Sequence, residues 1–292
     1  MKYNPNPPLL LLRRLIRSIE ANGFREALVH SWRRLYRSLK NHGLGGTFER
    51  AFVKAPVAPE LSAVQLPPHS FDILHGTDTG GMVSTAGLHA VSLSVLSSSG
   101  YLGSPPSTLR PALAALPIRH DEFSFIDLGC GKGRALFVAA ELPFRHVFGV
   151  EIVVELASAA KANVSLSPLW KERISVANQD ATRFAFPDGP IVLYFYNPFS
   201  ERVLRRVLAN LERELRRSPR AILLVFADIY LNEPVVGSTN GDRHRYQEVM
   251  DAIPRFRKIS DTTRPLSEGE AALEPSRCTV SRFTVYSADV TR

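Results

Sequence analysis

The chain has 292 residues, of which 45% are hydrophobic and 22% are charged, and its formal net charge is +8. This composition is ordinary for a globular protein and excludes a chain that is disordered throughout. The two cysteines, Cys130 and Cys278, are far apart in the sequence, so neither a disulfide framework nor a thiolate metal site is expected.

The excess of positive charge lies in residues 1–54. This segment has eleven basic residues against three acidic ones, whereas the basic and acidic residues of the remaining chain cancel. Apolar residues recur every three or four positions, which predicts two short amphipathic helices broken near Asn22 and Gly23. Such helices can bind an anionic partner, either a nucleic acid or a membrane surface, or they can cover the rest of the chain with their apolar stripe.

The N-terminal sequence does not resemble an export signal. Its apolar run, 9–12, is too short for a signal-peptide core and is followed at once by Arg13 and Arg14. No stretch of the sequence approaches the length of a membrane span. We therefore expect a cytoplasmic protein.

The next stretch is predicted to be a linker followed by loops and one helix. Four prolines and no clear period mark residues 55–68 as the linker. Loop-rich sequence follows at 71–81 and 97–107, and such loops are either binding elements or plain surface turns. A helix is predicted over 107–116, with Ser107 as its N-cap.

The clearest functional motif in the sequence is a glycine loop. The apolar run that begins at Phe125 reaches Asp127, and then Gly129, Gly131 and Gly133 follow at alternate positions before a helix. A strand that passes through glycines into a helix presents bare backbone N–H groups to a polar ligand. The spacing differs from the G-x-G-x-x-G pattern of dinucleotide-binding proteins.

Two further acidic residues stand at the ends of the next two predicted strands. Glu151 ends the strand 147–151, where an acid can accept hydrogen bonds from the ribose hydroxyls of a nucleoside. Asp180 ends the strand predicted over 173–180. Together with the glycine loop, the order and spacing of these acids favour a single nucleoside site.

This order of residues resembles that of the class I S-adenosylmethionine-dependent methyltransferases over residues 120–290. The resemblance implies that the cofactor is S-adenosyl-L-methionine and that Asp127 and the three glycines hold its methionine half. It implies that Glu151 holds the ribose, and that Asp180 and the backbone amide of Ala181 contact the adenine. A NAD-dependent oxidoreductase is the rival that the glycine spacing disfavours.

The fourth predicted strand, 191–196, ends in Asn197, Pro198 and Phe199 ahead of a basic helix predicted over 201–217. These three residues resemble the Asn-Pro-Pro-aromatic motif of methyltransferases that act on nitrogen, although one proline is missing. The resemblance implies that the Asn197 side-chain oxygen and a proline carbonyl accept N–H bonds from the acceptor nitrogen, while the aromatic ring packs on the substrate. The alternative is a turn that only ends the strand.

Three residues ahead of the glycine loop are also candidates for cofactor binding. The stretch 78–81, followed by Tyr101 and Ser104, resembles the corresponding region of a bacterial group of class I methyltransferases of unassigned substrate. On this resemblance we expect Asp78, Thr79 and Tyr101 to lie near the cofactor.

Three more strands, at 221–227, 256–260 and 282–287, and a helix at 243–253 complete the expected elements. The alternation predicts an α/β fold with a doubly wound, seven-stranded, mostly parallel sheet, and the resemblance implies an antiparallel last strand. The expected organisation is a basic helical extension at 1–54, a linker and pre-domain at 55–119, and a methyltransferase domain at 120–292.

The expected function is methyl transfer to a nucleophilic acceptor, led by a nitrogen of a protein side chain or a base. One alternative is a small-molecule O- or C-methyltransferase, for which His75, His89 or Tyr196 could act as the base that a hydroxyl requires. Another is a non-catalytic adaptor that binds nucleic acid or membrane through residues 1–54. No metal is expected, because a sulfonium carries its own leaving group.

Overall fold

The computed structural model describes residues 69–83, 89–92, 100–230, 246–273 and 279–288, without the side chains at 229 and 230. The chain divides into two units, Met1–Pro67 and Pro68–Arg292. The predicted basic helices, the proline-rich linker and Cys278 lie outside the described residues. Among the residues described, no helix combines the length and the apolar character needed to cross a membrane.

Among the described residues, two helices and two short strands precede the main sheet. Helix α1 (Ser70–His75) is followed by strands β1 (Met82–Val83) and β2 (Tyr101–Leu102), and then by helix α2 (Pro106–Ala114). The two strands pair with each other as a small antiparallel ribbon, separate from the main sheet. In this ribbon, Val83 pairs with Tyr101.

Seven strands of the described residues form the main sheet. In chain order they are β3 (Ser124–Leu128), β4 (Val147–Glu151), β5 (Ile174–Asn178), β6 (Ile191–Tyr196), β7 (Ile222–Tyr230), β8 (Phe256–Pro265) and β9 (Val280–Ala288). Their order across the sheet is β5-β4-β3-β6-β7-β9-β8. The last strand is antiparallel to both of its neighbours, and the other pairings are parallel. The predicted seven-stranded, mostly parallel fold is confirmed.

Helices cover both faces of this sheet. They are α3 (Arg134–Ala140), α4 (Val154–Ser165), α5 (Glu201–Arg217), α6 (Gln247–Asp251) and α7 (Glu268–Leu273), with 3-10 turns at His120–Glu122 and Ala181–Arg183. Because side chains alternate along a strand, Phe125 packs into the core that contains α2 and α3, while Ile126 packs into the core beneath α5. The central strands are buried on both faces, as their continuous apolar runs predict.

The N-terminus of helix α2 differs from the prediction. It begins at Pro106, with Pro105 in the N-cap position and no side-chain cap, so Ser107 lies in the first turn and is not the cap. The Glu270 carboxylate accepts the backbone N–H of Ser107 at 2.9 Å and also the Ser107 hydroxyl. A residue 163 positions away therefore satisfies the exposed donor that a local cap would have satisfied.

Strands β7 and β8 are both longer than predicted. β7 continues to Tyr230, three residues beyond its predicted end at 227, and Asp228 lies within the strand, opposite Arg282. β8 continues to Pro265, although most of its side chains are exposed. Both extensions arise from backbone pairing with β9, which an apolar pattern does not reveal.

Candidate active site

A cleft of about 810 Å³, counted out to its open mouth, lies at the carboxyl ends of the central strands. Residues at the ends of four strands form its wall: Asp127 from β3, Glu151 from β4, Asp180 after β5 and Asn197 after β6. Carboxyl ends of parallel strands are the usual binding edge of such sheets.

The structure brings ten of the predicted site residues to this cleft. They are Tyr101, Asp127, Gly129, Gly131, Glu151, Asp180, Ala181, Asn197, Pro198 and Phe199. The other three predicted residues, Asp78, Thr79 and Gly133, are not among its described lining residues. Gly133 begins α3 with φ 93° and lies against Ala160 of α4, so its position serves helix packing.

The glycine loop allows two other segments to approach closely. Gly129 and Gly131 have φ values of 100° and 55°, in the left-handed region that favours glycine. A Cβ at Gly129 would lie 2.4 Å from Cβ of Pro198, and a Cβ at Gly131 would lie 2.1 Å from the Tyr101 ring. Larger residues would therefore displace both the turn after β6 and the ribbon strand β2.

Glu151 links the end of strand β4 to the glycine loop. Its Oε2 accepts the N–H of Gly131 at 2.8 Å, and its Oε1 accepts the N–H of Val153 at 2.9 Å. Burial raises the pKa of this carboxyl, and the backbone donors oppose that rise. Each carboxylate oxygen has a second lone pair, so the group can still accept a hydrogen bond from a ligand hydroxyl.

Asp127 is buried beside Glu151. Burial and the neighbouring Glu151 charge raise the pKa of Asp127 well above its ordinary value. Two close, buried carboxyl groups repel each other, and a cationic ligand would relieve that repulsion. S-adenosylmethionine carries an ammonium and a sulfonium, so the charge of this part of the cleft fits that cofactor.

Replacing Asp127 by asparagine should stabilise the protein without ligand and weaken cofactor binding. Since its folded pKa is raised, ionisation of Asp127 costs stability once the pH rises above the unfolded value of 3.8. In urea unfolding, the stability of Asp127→Asn relative to wild type should increase as the pH rises above 3.8. The exposed Asp78, changed to asparagine, is the control for the loss of a carboxylate outside the cleft. Parallel pH curves for wild type and Asp127→Asn would contradict the argument.

The Asp180 carboxylate accepts hydrogen bonds from the turn that follows it and from a serine that is distant in the sequence. Its Oδ1 accepts the N–H and the hydroxyl of Thr182 at 2.9 and 2.8 Å, which fixes the turn that contains Ala181. Its Oδ2 accepts the Ser92 hydroxyl at 2.7 Å. Ala90, two residues before Ser92, bridges to Val153, so residues 89–92 lie close to the ends of β4 and β5.

Asn197 combines two unusual features. Its φ of 46° places a non-glycine residue in the left-handed region, where few such residues occur. Its Oδ1 is buried and accepts no hydrogen bond from the part of the chain that the structure describes. Strained backbone and an unsatisfied buried acceptor are both costly, and such features gather at functional sites.

Pro198 and Phe199 have different surroundings from Asn197. Pro198 packs against Gly129, as the glycine geometry shows. Phe199 is buried, with its ring edge-on to Phe195 at a centroid distance of 6.2 Å. Its carbonyl accepts the Tyr246 hydroxyl at 2.5 Å. The Phe199 ring therefore belongs mainly to the core under α5.

Arg134 is a cleft residue that sequence reasoning missed. Its Nε donates to Thr79 Oγ1 at 2.8 Å and its Nη2 donates to the Thr79 carbonyl at 2.9 Å. Nη2 also lies 3.7 Å from Asp72 Oδ2, and the Tyr101 hydroxyl donates to the same Thr79 carbonyl at 2.6 Å. The only signal in the sequence was a basic residue directly after the last glycine of the loop.

Asp78 and the two candidate histidines lie away from the cleft. The exposed Asp78 carboxylate pairs with Lys132 at 3.0 Å. His75 lies 3.6 Å from Glu141, and the exposed His89 pairs with Glu155 at 2.7 Å. None of these side chains is among the described lining residues.

Comparison with known proteins gives a family match and distant structural likenesses. Residues 125–218 match the family model described as a methyltransferase domain. No curated protein matches the sequence at a significant level. The family match spans the glycine loop, all three strand-end acids and Asn197.

Three solved methyltransferases illustrate the structural likeness. A SAM-dependent methyltransferase from Aquifex aeolicus is 16% identical, with a TM-score of 0.41, over 61% of this chain and 89% of that one. One from Geobacter sulfurreducens, in complex with S-adenosyl-L-homocysteine, is 13% identical, with a TM-score of 0.40, over 63% and 89%. One from Leishmania major is 12% identical, with a TM-score of 0.44, over 62% and 70%. Likenesses this distant carry no information about the acceptor.

The family match agrees with the sheet order and with the site. The glycine loop and the acids Glu151 and Asp180 occupy consecutive strand ends around one cleft. Buried carboxyl groups there suit a cationic nucleoside. The chain therefore carries a methyltransferase domain, matched over residues 125–218, and the cofactor that its cleft suits is S-adenosylmethionine.

Proposed function

We propose that the enzyme methylates a nitrogen atom, in a protein side chain or a base, that Asn197 orients. The observation that carries the proposal is the buried Asn197 Oδ1 on the cleft wall, without a donor among the described residues. An unsatisfied buried acceptor costs about 1–3 kcal/mol. An N–H group of the acceptor would remove that cost on binding.

Methyl transfer requires little from the protein beyond alignment of the acceptor with the methyl group. Bound S-adenosylmethionine supplies an electrophilic methyl group, so proximity and orientation are the main contributions of the protein. Asn197 Oδ1, by accepting the N–H, would aim the nitrogen lone pair at the methyl carbon. The C–N bond forms as the C–S bond breaks, the electron pair stays on sulfur, and the proton then leaves the nitrogen for solvent.

The cleft favours nitrogen over a hydroxyl as the acceptor. A hydroxyl needs a general base within reach, and the described lining residues include no histidine. Burial raises the pKa of Tyr101, which makes this phenol a poor base. Tyr196 also lines the cleft and is the remaining candidate base for the oxygen-acceptor alternative.

A labelled-methyl transfer screen tests the proposal. Cell extract is fractionated into protein, RNA and small molecules, and each fraction is incubated with the enzyme and methyl-labelled S-adenosylmethionine. We expect label in protein or RNA, and mass spectrometry should place it on nitrogen. Label confined to oxygen or carbon atoms of small molecules would overturn the proposal. Calorimetric binding of S-adenosylmethionine, with NAD as the control ligand, checks the cofactor independently.

A further inference from the structure

We propose that the outer face of helix α5 binds the phosphate backbone of a single-stranded nucleic acid beside the cleft. The helix contains six arginines, all of them exposed, which we call the arginine stripe: Arg202, Arg205, Arg206, Arg213, Arg216 and Arg217. This inference rests on the proposed function, because it selects a base, rather than a protein side chain, as the group that bears the acceptor nitrogen.

The six arginines lie on one side of the helix. At about 100° per residue, they fall within an arc of about 120° that contains no acidic residue. The three acids of the helix, Glu201, Glu212 and Glu214, lie outside that arc. At about 1.5 Å per residue, the stripe is about 22 Å long. A helix face that is only solvated usually mixes charges of both signs, whereas this face presents one sign along its whole length.

Most of the stripe is available to a partner. In the part of the chain that the structure describes, four of its arginines have no carboxylate partner: Arg202, Arg205, Arg206 and Arg216. Arg217 lies 3.8 Å from Glu214, and Arg213 donates to an amide oxygen of the same helix at 2.6 Å. A guanidinium can donate two N–H groups to one phosphate, so these side chains suit a phosphate backbone.

The arginine stripe borders the cleft. Helix α5 begins just after the Asn197 turn, and Val203 from its first turn lines the cleft. Arg206 stands three residues after Val203 and is therefore its neighbour on the helix surface. The turn Ala181–Arg183, whose first residue also lines the cleft, packs beside α5, and its arginine is exposed. A strand bound along the stripe would thus pass the cleft wall that carries Asn197.

The opposite side of α5 argues against a membrane partner. An amphipathic helix binds a membrane by burying its apolar face among the lipids. In α5 that face is already buried in the core, through Val203, Leu204, Val207, Leu208, Leu211 and Leu215. A nucleic-acid strand instead offers one negative charge at each nucleotide, which matches a row of cations. The strand must be single, because the stack of a duplex keeps a base away from an enzyme cleft.

Binding to the full chain, measured by fluorescence anisotropy over a range of salt concentrations, tests the proposal. The nucleic-acid probes are an RNA strand of about 20 nucleotides, longer than the site sizes of about 4–16 nucleotides that are common for such proteins, and the DNA strand of the same sequence. Polyglutamate and vesicles that contain phosphatidylserine represent other anionic partners. Wild type should bind at least one of the two strands, and tighter binding of RNA than of DNA would identify recognition of the 2′-hydroxyl.

The variant replaces by glutamine the four arginines without a carboxylate partner. It combines Arg202→Gln, Arg205→Gln, Arg206→Gln and Arg216→Gln, and it should weaken strand binding at least about tenfold. Each lost phosphate contact changes the slope of log affinity against log salt by about 0.7, so the slope should become shallower by about 2 to 3. The polyglutamate and vesicle affinities should change less. Affinity for S-adenosylhomocysteine should stay within about twofold of wild type.

A matched control removes the same charge from exposed positions outside α5. It combines Arg145→Gln, Lys161→Gln, Lys171→Gln and Arg257→Gln. Both variants keep the basic segment 1–54, so any contribution of that segment to binding is the same in each. The control should keep the wild-type salt slope for the strand. If the four-arginine variant proves less stable in urea, Arg202→Gln with Arg205→Gln should give about half of the slope change.

Several outcomes would overturn the proposal. Wild-type strand affinity in the four-arginine variant would do so, and so would an equal loss in the control or a larger effect on polyglutamate or vesicles than on the strand. Transferred methyl found only on protein nitrogen would also overturn it, while leaving the nitrogen acceptor intact. In contrast, methyl found on oxygen of a strand that binds through the stripe would refute the nitrogen acceptor and support the stripe.

Discussion

Removing the Asn197 side chain should abolish most methyl transfer and leave cofactor binding intact. We expect Asn197→Gly and Asn197→Ala each to lower kcat about 100-fold, because the acceptor nitrogen would lose the group that aligns it. Transfer is measured on the extract fraction that the labelling screen identifies. Binding of S-adenosylhomocysteine, measured by calorimetry, should stay within about twofold of wild type.

The glycine and alanine variants separate the side chain from the strained backbone. Glycine adopts the φ of 46° without cost, whereas alanine there costs about 1 kcal/mol of stability. If loss of the amide is the cause, both variants should lose the same activity although only Asn197→Ala is strained. Activity retained by Asn197→Gly would show that the amide does not orient the acceptor. As a second control, Asn210→Ala removes an amide outside the cleft.

Gly131→Ala should disrupt both stability and cofactor binding. The new Cβ would lie 2.1 Å from the Tyr101 ring at a φ of 55°, so backbone strain and overpacking act together. We expect the free energy of unfolding to fall by about 2 to 4 kcal/mol. Because the Gly131 N–H binds Glu151, affinity for S-adenosylhomocysteine should fall at least about tenfold. Chemical denaturation and calorimetry provide the two measurements.

Gly76→Ala is the matched control for this variant. Gly76 has a similar φ of 64°, but a Cβ there would meet nothing within 4 Å. Gly76→Ala should lower the free energy of unfolding by only about 1 kcal/mol, through backbone strain, and keep full affinity for S-adenosylhomocysteine. Equal destabilisation by the two alanines would contradict the steric explanation. Adding Tyr101→Ala to Gly131→Ala should recover part of the lost stability by opening the space.

The sheet could be predicted from the sequence because its strands have local signatures. β6 is a continuous apolar run, β4 ends in Glu151, and β3 carries Asp127 as its next-to-last residue; both acids line the cleft. The bounds of β4, β6 and α5 agree with their predicted ranges. β8 was predicted too short, because its mostly exposed side chains give no apolar pattern and only the pairing with β9 defines its length.

The contacts around the cleft could be predicted only in part. Strand ends converge in any parallel sheet, so the positions of Glu151 and Asp180 followed from their spacing. The bond from Arg134 to Thr79 spans 55 residues, and that from Ser92 to Asp180 spans 88. No local pattern encodes such pairs. The roles of Thr79 and Ser92 as anchors of a pre-domain on the cleft therefore emerged only from the folded chain.

The contacts of the pre-domain with the cleft also determine the shortest fragment of the chain that should fold by itself. A chain shortened to begin at residue 120 would keep every strand of the main sheet but would lose Asp72 and Thr79. It would also lose Phe71, Leu109 and Leu113, which are buried in the core that contains α3. Burial of each such side chain contributes about 1.5–3 kcal/mol, so their loss removes a large part of the 5–15 kcal/mol that holds a typical domain together. The autonomous unit must therefore reach back to about residue 69, well ahead of its first sheet strand.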